Sequence, residues 1–174
     1  LKASNCYLAH QGEIQRPEHY DGRIIYEGEL GLVIGKTCRN VSVDEAADYI
    51  FGATCVNDVT ALTLIDKDPT FPQWCRAKNM DTFGAFGPSI ETDVDVDSLT
   101  IRTIYRNKEM QNYPVSDLIF SPHQIVSLLS QDMTFYPGDL IACGTGGGVL
   151  PIRPGTTVEI HIDGLDTLSN TMAG

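Results

Sequence analysis

The apolar positions of the chain gather into short runs, and the most informative of these is Ile24-Ile25-Tyr26-Glu27-Gly28-Glu29-Leu30-Gly31-Leu32-Val33-Ile34-Gly35. Its apolar, β-branched ends suit a strand. Ahead of it, residues 1–23 read as irregular, punctuated by Gly12, Pro17 and Gly22. Behind it, Ser42-Val43-Asp44-Glu45 is a capping box that predicts a helix to about Phe51, with Ala46, Ala47, Ile50 and Phe51 at helical spacing. Ala53–Val59 is small and β-branched and predicts a buried strand, in which Asp58 is an unusual inclusion. Residues 66–74 form a loop with Pro69 and Pro72 that ends at Trp74, and 76–83 is mixed in character.

In the second half, strands are predicted near 87–92 and 99–106, with Asn107-Lys108 turning the chain back into Glu109–Asn112 as a hairpin. Ser121-Pro122 places a cap and a first-turn proline ahead of a helix to about Gln131, whose buried side carries Ile125, Val126, Leu128 and Leu129. Pro137-Gly138-Asp139 is a turn, Leu140–Cys143 a strand and Gly144-Thr145-Gly146-Gly147-Gly148 a glycine loop. Pro154-Gly155 turns into the alternating strand Thr157–Ile162, with Leu165–Leu168 as its partner. There is no internal repeat and no linker. The pattern is that of one β-rich α+β domain, and 174 residues suffice to bury its core.

Charge narrows the partners. Twelve Lys and Arg against 23 Asp and Glu leave a net −11, which argues against nucleic acid or an anionic membrane as the partner. An anionic substrate would then need a local cation, either a metal or a lysine. No apolar run approaches the roughly 20 residues that span a bilayer, and no signal peptide stands at the start. The five cysteines, Cys6, Cys38, Cys55, Cys75 and Cys143, lack any Cys-x-x-Cys and read as buried free thiols of a reducing, cytoplasmic compartment. The chain begins at Leu1 rather than methionine, so residues upstream are expected.

The candidate chemistry is acidic. On a strand, Glu27 and Glu29 fall on one face, where two like charges repel unless a cation sits between them. Gly28 between them lets a backbone or ligand approach closely. Asp58, in an apolar strand, is hard to leave unpaired. Three carboxylates select a hard cation, Mg²⁺ or else Mn²⁺ or Ca²⁺, over zinc. A half-exposed strand with two solvated glutamates, and an Asp58 that caps a turn or meets an arginine, fit the spacing equally. Lys78 could balance such a charge or hold a substrate carboxylate, or be a solvated surface lysine. The glycine loop lacks a P-loop signature, but its amides and the Thr145 hydroxyl could bind an oxyanion.

Taken together these motifs resemble one family. Tyr26-Glu27-Gly28-Glu29-Leu30, Val33-Ile34-Gly35-Lys36, Tyr49-Ile50-Phe51-Gly52, Asn57-Asp58-Val59 and Gln73-Trp74-x-Arg76-x-Lys78 are similar to the fumarylacetoacetate hydrolase family. The likeness continues collinearly through Ile119-Phe120-Ser121-Pro122, Leu129-Ser130-Gln131, Pro137-Gly138-Asp139, Gly144-Thr145 and Thr167-Leu168-x-Asn170. The resemblance implies a mixed β-roll sandwich, commonly dimeric, with Mg²⁺ held by Glu27, Glu29 and Asp58. It implies substrate contacts from Lys78, Gly144 and Thr145, Lys78 with a catalytic part. The substrate it implies is a 2-oxo acid that chelates the metal, which then stabilises an enolate.

The chain departs from that pattern in three places. The family's His and Glu dyad, which activates water, sits on an N-terminal lid upstream of the segment matched by Leu1-Lys2-Ala3-Ser4; His10-Gln11-Gly12-Glu13 has the spacing but falls after the lid, where an exposed loop histidine is expected. Thr60-Ala61-Leu62-Thr63-Leu64-Ile65 stands where the family often reads Ser-Ala-Arg-Asp-x-Gln, and Gly146 where it often has proline. The leading expectation is a Mg²⁺-dependent hydrolase of a C–C bond in an acylpyruvate-like 2,4-dioxo acid. Decarboxylation or isomerisation of a related diacid is the alternative within the enzyme class, and a non-catalytic metal-binding member the alternative outside it.

Overall fold

A computed structural model describes residues 1–174. Its strands are β1 (Tyr7–Leu8), β2 (Glu13–Ile14), β3 (Ile24–Ile25), β4 (Gly28–Ile34), β5 (Ile50–Asp58), β6 (Thr60–Ala61), β7 (Gly84–Glu91), β8 (Thr100–Tyr105), β9 (Lys108–Pro114), β10 (Leu140–Ala142), β11 (Thr157–Ile162) and β12 (Leu168–Met172). Three α-helices accompany them: α1 (Leu62–Asp66), α2 (Trp74–Lys78) and α3 (Pro122–Asp132). The strands form two five-stranded mixed sheets, β1-β7-β5-β4-β10 and β2-β12-β11-β8-β9, and a small β3-β6 ribbon. This is the expected β-rich sandwich.

The core follows from period-2 alternation in the second sheet. Ile101, Thr103 and Tyr105 of β8, Val158, Ile160 and Ile162 of β11, and Leu168, Asn170 and Met172 of β12 are all buried. β4 is buried on both faces. A Cβ on Gly28 would lie 2.1 Å from Thr103 Oγ1 and 2.9 Å from Ile160 Cδ1, so Gly28, Leu30 and Leu32 face the second sheet and Glu29 and Gly31 point outward. The close approach that Gly28 permits is therefore made by the neighbouring sheet.

Several local expectations change. The run from Ile24 to Gly35 is interrupted at Tyr26-Glu27, between β3 and β4. The capping contact at Ser42 forms, with its Oγ donating to Glu45 Oε2 at 2.6 Å, but only a 3₁₀ turn over Ala46–Tyr49 follows. Ile50 and Phe51 are taken into β5, because Ile34 of β4 offers Ile50 a ladder partner. Conversely α1 occupies a stretch for which no element was predicted, and α2 runs from the end of the predicted loop into the mixed sequence. α3 carries the full capping box, Ser121 with Gln124. It is rotated from the expected face: Leu128 is exposed, while Ser127 donates to Val41 O at 2.8 Å and Ser130 accepts from Val41 N at 3.0 Å. The hairpin turn holds Arg106 and Asn107 at φ 52° and 60°, as a two-residue turn between twisted strands requires. All five cysteines are free, and Cys75 is exposed where a buried thiol was expected. No helix is long and apolar enough to cross a membrane.

Candidate metal centre

Glu27, just ahead of β4, is tied to the end of β5 by its backbone: its N–H donates to Asn57 Oδ1 at 3.0 Å and its carbonyl accepts from Asp58 N at 2.9 Å. Glu29 lies in β4 opposite Val56, and Asp58 closes β5. The interruption of the strand at Tyr26-Glu27 does not separate the acids. One carboxylate oxygen from each of Glu27, Glu29 and Asp58 lies within 4.8 Å of the others.

Two ammonium groups border this triad. Lys78, the last residue of α2, pairs with Glu27 Oε2 and lies 2.6 Å from Asp58 Oδ2. Lys2, which sequence reasoning missed, places Nζ 2.7 Å from Asp58 Oδ1. Its N–H groups go to the carbonyls of Val59, Lys78 and Phe83 at 3.2, 2.6 and 2.6 Å, so the contact with Asp58 is coulombic. Asp58 Oδ1 is accordingly buried without a hydrogen-bond partner.

Burial pushes the Glu29 carboxyl up to about 8; the Asp58 and Glu27 charges add to this, while the Gly144 amide and Lys78 oppose it. Glu27 is raised by burial against the pull of Lys78. For Lys78, burial works against the charge, but Asp58 and Glu27 outweigh it and the ammonium is held. A buried oxygen lacking a donor, and a glutamate whose burial resists ionisation, are both relieved by a cation among them. The all-oxygen donor set fits a hard divalent metal.

The glycine loop builds the wall of this centre. Gly144 follows β10 at φ 100°, a conformation that favours glycine, and its N–H donates to Glu29 Oε2 at 2.7 Å. Thr145 Oγ1 donates to Gly28 O at 3.0 Å and accepts from Gln111 Nε2 at 2.9 Å. Both residues expected to touch substrate are thus engaged in orienting the Glu27-Gly28-Glu29 segment. Gln111, also missed, is fully buried between the sheets: its Oε1 accepts from Gly28 N at 3.1 Å and from Thr103 Oγ1 at 2.7 Å. Tyr113, two residues on and on the same face, donates to Gly28 O at 2.7 Å. The one available signal was a glutamine at an inward position of an alternating strand. His10 lies elsewhere: half-buried, it accepts from Ser169 N at 3.1 Å, and Glu13 pairs into the second sheet at β2.

The fumarylacetoacetate (FAA) hydrolase C-terminal family matches residues 1–173. The 4-hydroxyphenylacetate degradation bifunctional isomerase/decarboxylase of Salmonella dublin is 36% identical over 173 residues, which cover 98% of this chain and 40% of that protein. Oxaloacetate tautomerase YisK of Bacillus subtilis is 34% identical over 179 residues, 97% of this chain and 58% of its own length. Among solved structures, 5-carboxymethyl-2-hydroxymuconate delta-isomerase from Mycobacterium smegmatis superposes with a TM-score of 0.93 at 38% identity, over 99% of this chain and 67% of that one. The chain thus spans from two fifths to two thirds of the length of these three proteins. With the matched residues running from end to end and the acidic triad assembled, the chain belongs to the fumarylacetoacetate hydrolase family of enzymes.

Proposed function

We propose that this chain is the catalytic domain of a Mg²⁺-dependent enzyme that enolises a 2-oxo acid, with isomerisation or decarboxylation as the outcome. The sequence alone put C–C bond hydrolysis of a 2,4-dioxo acid first; the isomerase, decarboxylase and tautomerase relatives move the weight to the alternative. The observation that carries the reading is the convergence of Glu27, Glu29 and Asp58 within 4.8 Å, with Lys78 on two of them.

Glu27, Glu29 and Asp58 would hold the cation. Bound there, Mg²⁺ supplies Lewis acidity, which favours the negative charge that develops on a 2-oxo oxygen. Lys78 commits two of its three N–H groups to Glu27 and Asp58, leaving one to donate to a substrate oxygen. The Gly144 amide fixes one Glu29 oxygen, so that carboxylate is oriented before any ligand arrives. Gln111 and Tyr113 hold Gly28 between the two glutamates from behind. Glu29, Gln111 and Tyr113 stand on strands, Asp58 at a strand end and Lys78 on a short helix, which limits the reorganisation needed at the moment of reaction.

Turnover by the full-length protein tests this. Interconversion of the enol and keto forms of oxaloacetate, its decarboxylation, and cleavage of an acylpyruvate are each followed with and without Mg²⁺. The proposal expects Mg²⁺-dependent enolisation or decarboxylation that falls by about 100-fold or more in Lys78→Met. Cleavage of the acylpyruvate alone would return hydrolysis to first place. Metal binding with no turnover of any of the three would favour a non-catalytic member.

A further inference from the structure

Each acid of the centre has one of its two carboxylate oxygens in a hydrogen bond with a fixed donor. Lys78 donates to Glu27 Oε2 and, at 2.6 Å, to Asp58 Oδ2. The Gly144 amide donates to Glu29 Oε2 at 2.7 Å. These donors come from separate elements, the end of α2 and the glycine loop behind β10. Lys2 stands 2.7 Å from Asp58 Oδ1 but directs its N–H groups to three backbone carbonyls, so Oδ1 accepts no hydrogen bond. One oxygen of each acid is left for an ion.

We propose that Lys78 and the Gly144 amide decide which ion the centre accepts, by holding each acid to ligation through a single oxygen. The inference rests on the divalent-metal reading above and adds the residues that discriminate between ions. Three single oxygens and about three waters complete the octahedron of a small ion such as Mg²⁺. Ca²⁺ takes roughly six to eight oxygens and commonly reaches that number through both oxygens of a carboxylate. Here the second oxygen is engaged. To turn it toward an ion, Glu27 or Asp58 must give up a charge-assisted bond to Lys78, and Glu29 its bond to the Gly144 amide. Neither donor can follow a turning carboxylate. The Gly144 amide is backbone held at φ 100°, and the Lys78 ammonium is shared between two acids. Charge alone does not discriminate, because an ammonium beside the acids repels every dication alike. Selectivity therefore lies in the hydrogen bonds. The role is separate from the substrate contact proposed for Lys78, which uses its third N–H.

Ion binding tests this without reference to turnover. Full-length protein freed of metal is titrated calorimetrically with Mg²⁺ and, separately, with Ca²⁺. Mg²⁺ is expected to bind at least as tightly as Ca²⁺. Lys78→Met removes one positive charge and frees one oxygen on each of Glu27 and Asp58. The lost charge strengthens the binding of both ions by a common factor, whereas the freed oxygens serve Ca²⁺. The ratio of Ca²⁺ to Mg²⁺ affinity is therefore expected to rise by about 10-fold. Lys78→Gln keeps a donor without the charge and is expected to raise the ratio by about threefold, which also covers a Lys78→Met that does not fold. Tighter binding of Ca²⁺ than of Mg²⁺ by the unaltered protein, or a ratio that stays constant in the variants, would overturn the selectivity assignment and leave the metal centre standing. Failure of both ions to bind would overturn the metal reading itself, and the selectivity with it.

Discussion

The Gly144 amide donates to the Glu29 carboxylate at 2.7 Å, joining two residues 115 positions apart. The bond exists because the backbone at Gly144 adopts φ 100°, which aims the N–H inward after β10. A Cβ added there would meet nothing within 4 Å, so any effect of alanine comes from backbone strain and not from a clash. Gly144→Ala is expected to lose about 1–3 kcal/mol of stability in urea denaturation and to weaken Mg²⁺ binding in calorimetry. Gly147→Ala is the control, since its Cβ is equally unobstructed and no positive φ is required. Equal behaviour of the two variants would remove the role assigned to the Gly144 conformation.

Gln111 makes a second prediction. Its side chain satisfies Gly28 N, Thr103 Oγ1 and Thr145 Oγ1 at once, and it is 1% exposed. Leucine would leave the Gly28 amide and the Thr103 hydroxyl buried without partners, at about 1–3 kcal/mol each. Gln111→Leu is therefore expected to shift the urea midpoint by several kcal/mol of stability, far beyond an ordinary surface change. An unaltered midpoint would show that the glycine loop and β4 are held by something else.

The sheet pattern and the acids were legible in the sequence because both leave local traces: β-branched runs, alternation, and charges inside apolar stretches. Asp58 was conspicuous for that reason. Lys2 and Gln111 were not, because what defines them is a partner far along the chain, as when Lys2 reaches the carbonyls of Lys78 and Phe83. The helix expected through Phe51 failed on similar grounds. Its cap at Ser42 and Glu45 formed, but pairing with Ile34 drew Ile50 into the sheet. α2, which delivers Lys78, is only five residues long, too short to show a helical period.

Buried thiols and phenols, Cys55 and Tyr26 among them, contribute to the response to alkaline pH. Burial pushes the Cys55 thiol from 9.0 up to about 12 and the Tyr26 phenol from 10.0 up to about 12. Above pH 9 the unfolded chain releases these protons while the folded chain keeps them, so the folded state binds more protons and stability falls as pH rises. Each such group contributes about 1.4 kcal/mol per pH unit within its window. Melting temperature measured from pH 9 to 11 is expected to decline, with a shallower decline in Cys55→Ala. A flat profile to pH 11 would contradict the burial of both groups.

Calorimetric titration of the metal-free, full-length protein with Mg²⁺ bears most directly on the centre formed by Glu27, Glu29 and Asp58. One site is expected, with affinity reduced by about 10-fold or more in both Glu27→Gln and Asp58→Asn. Unchanged Mg²⁺ affinity in these two variants, or no binding by the unaltered protein, would contradict the account.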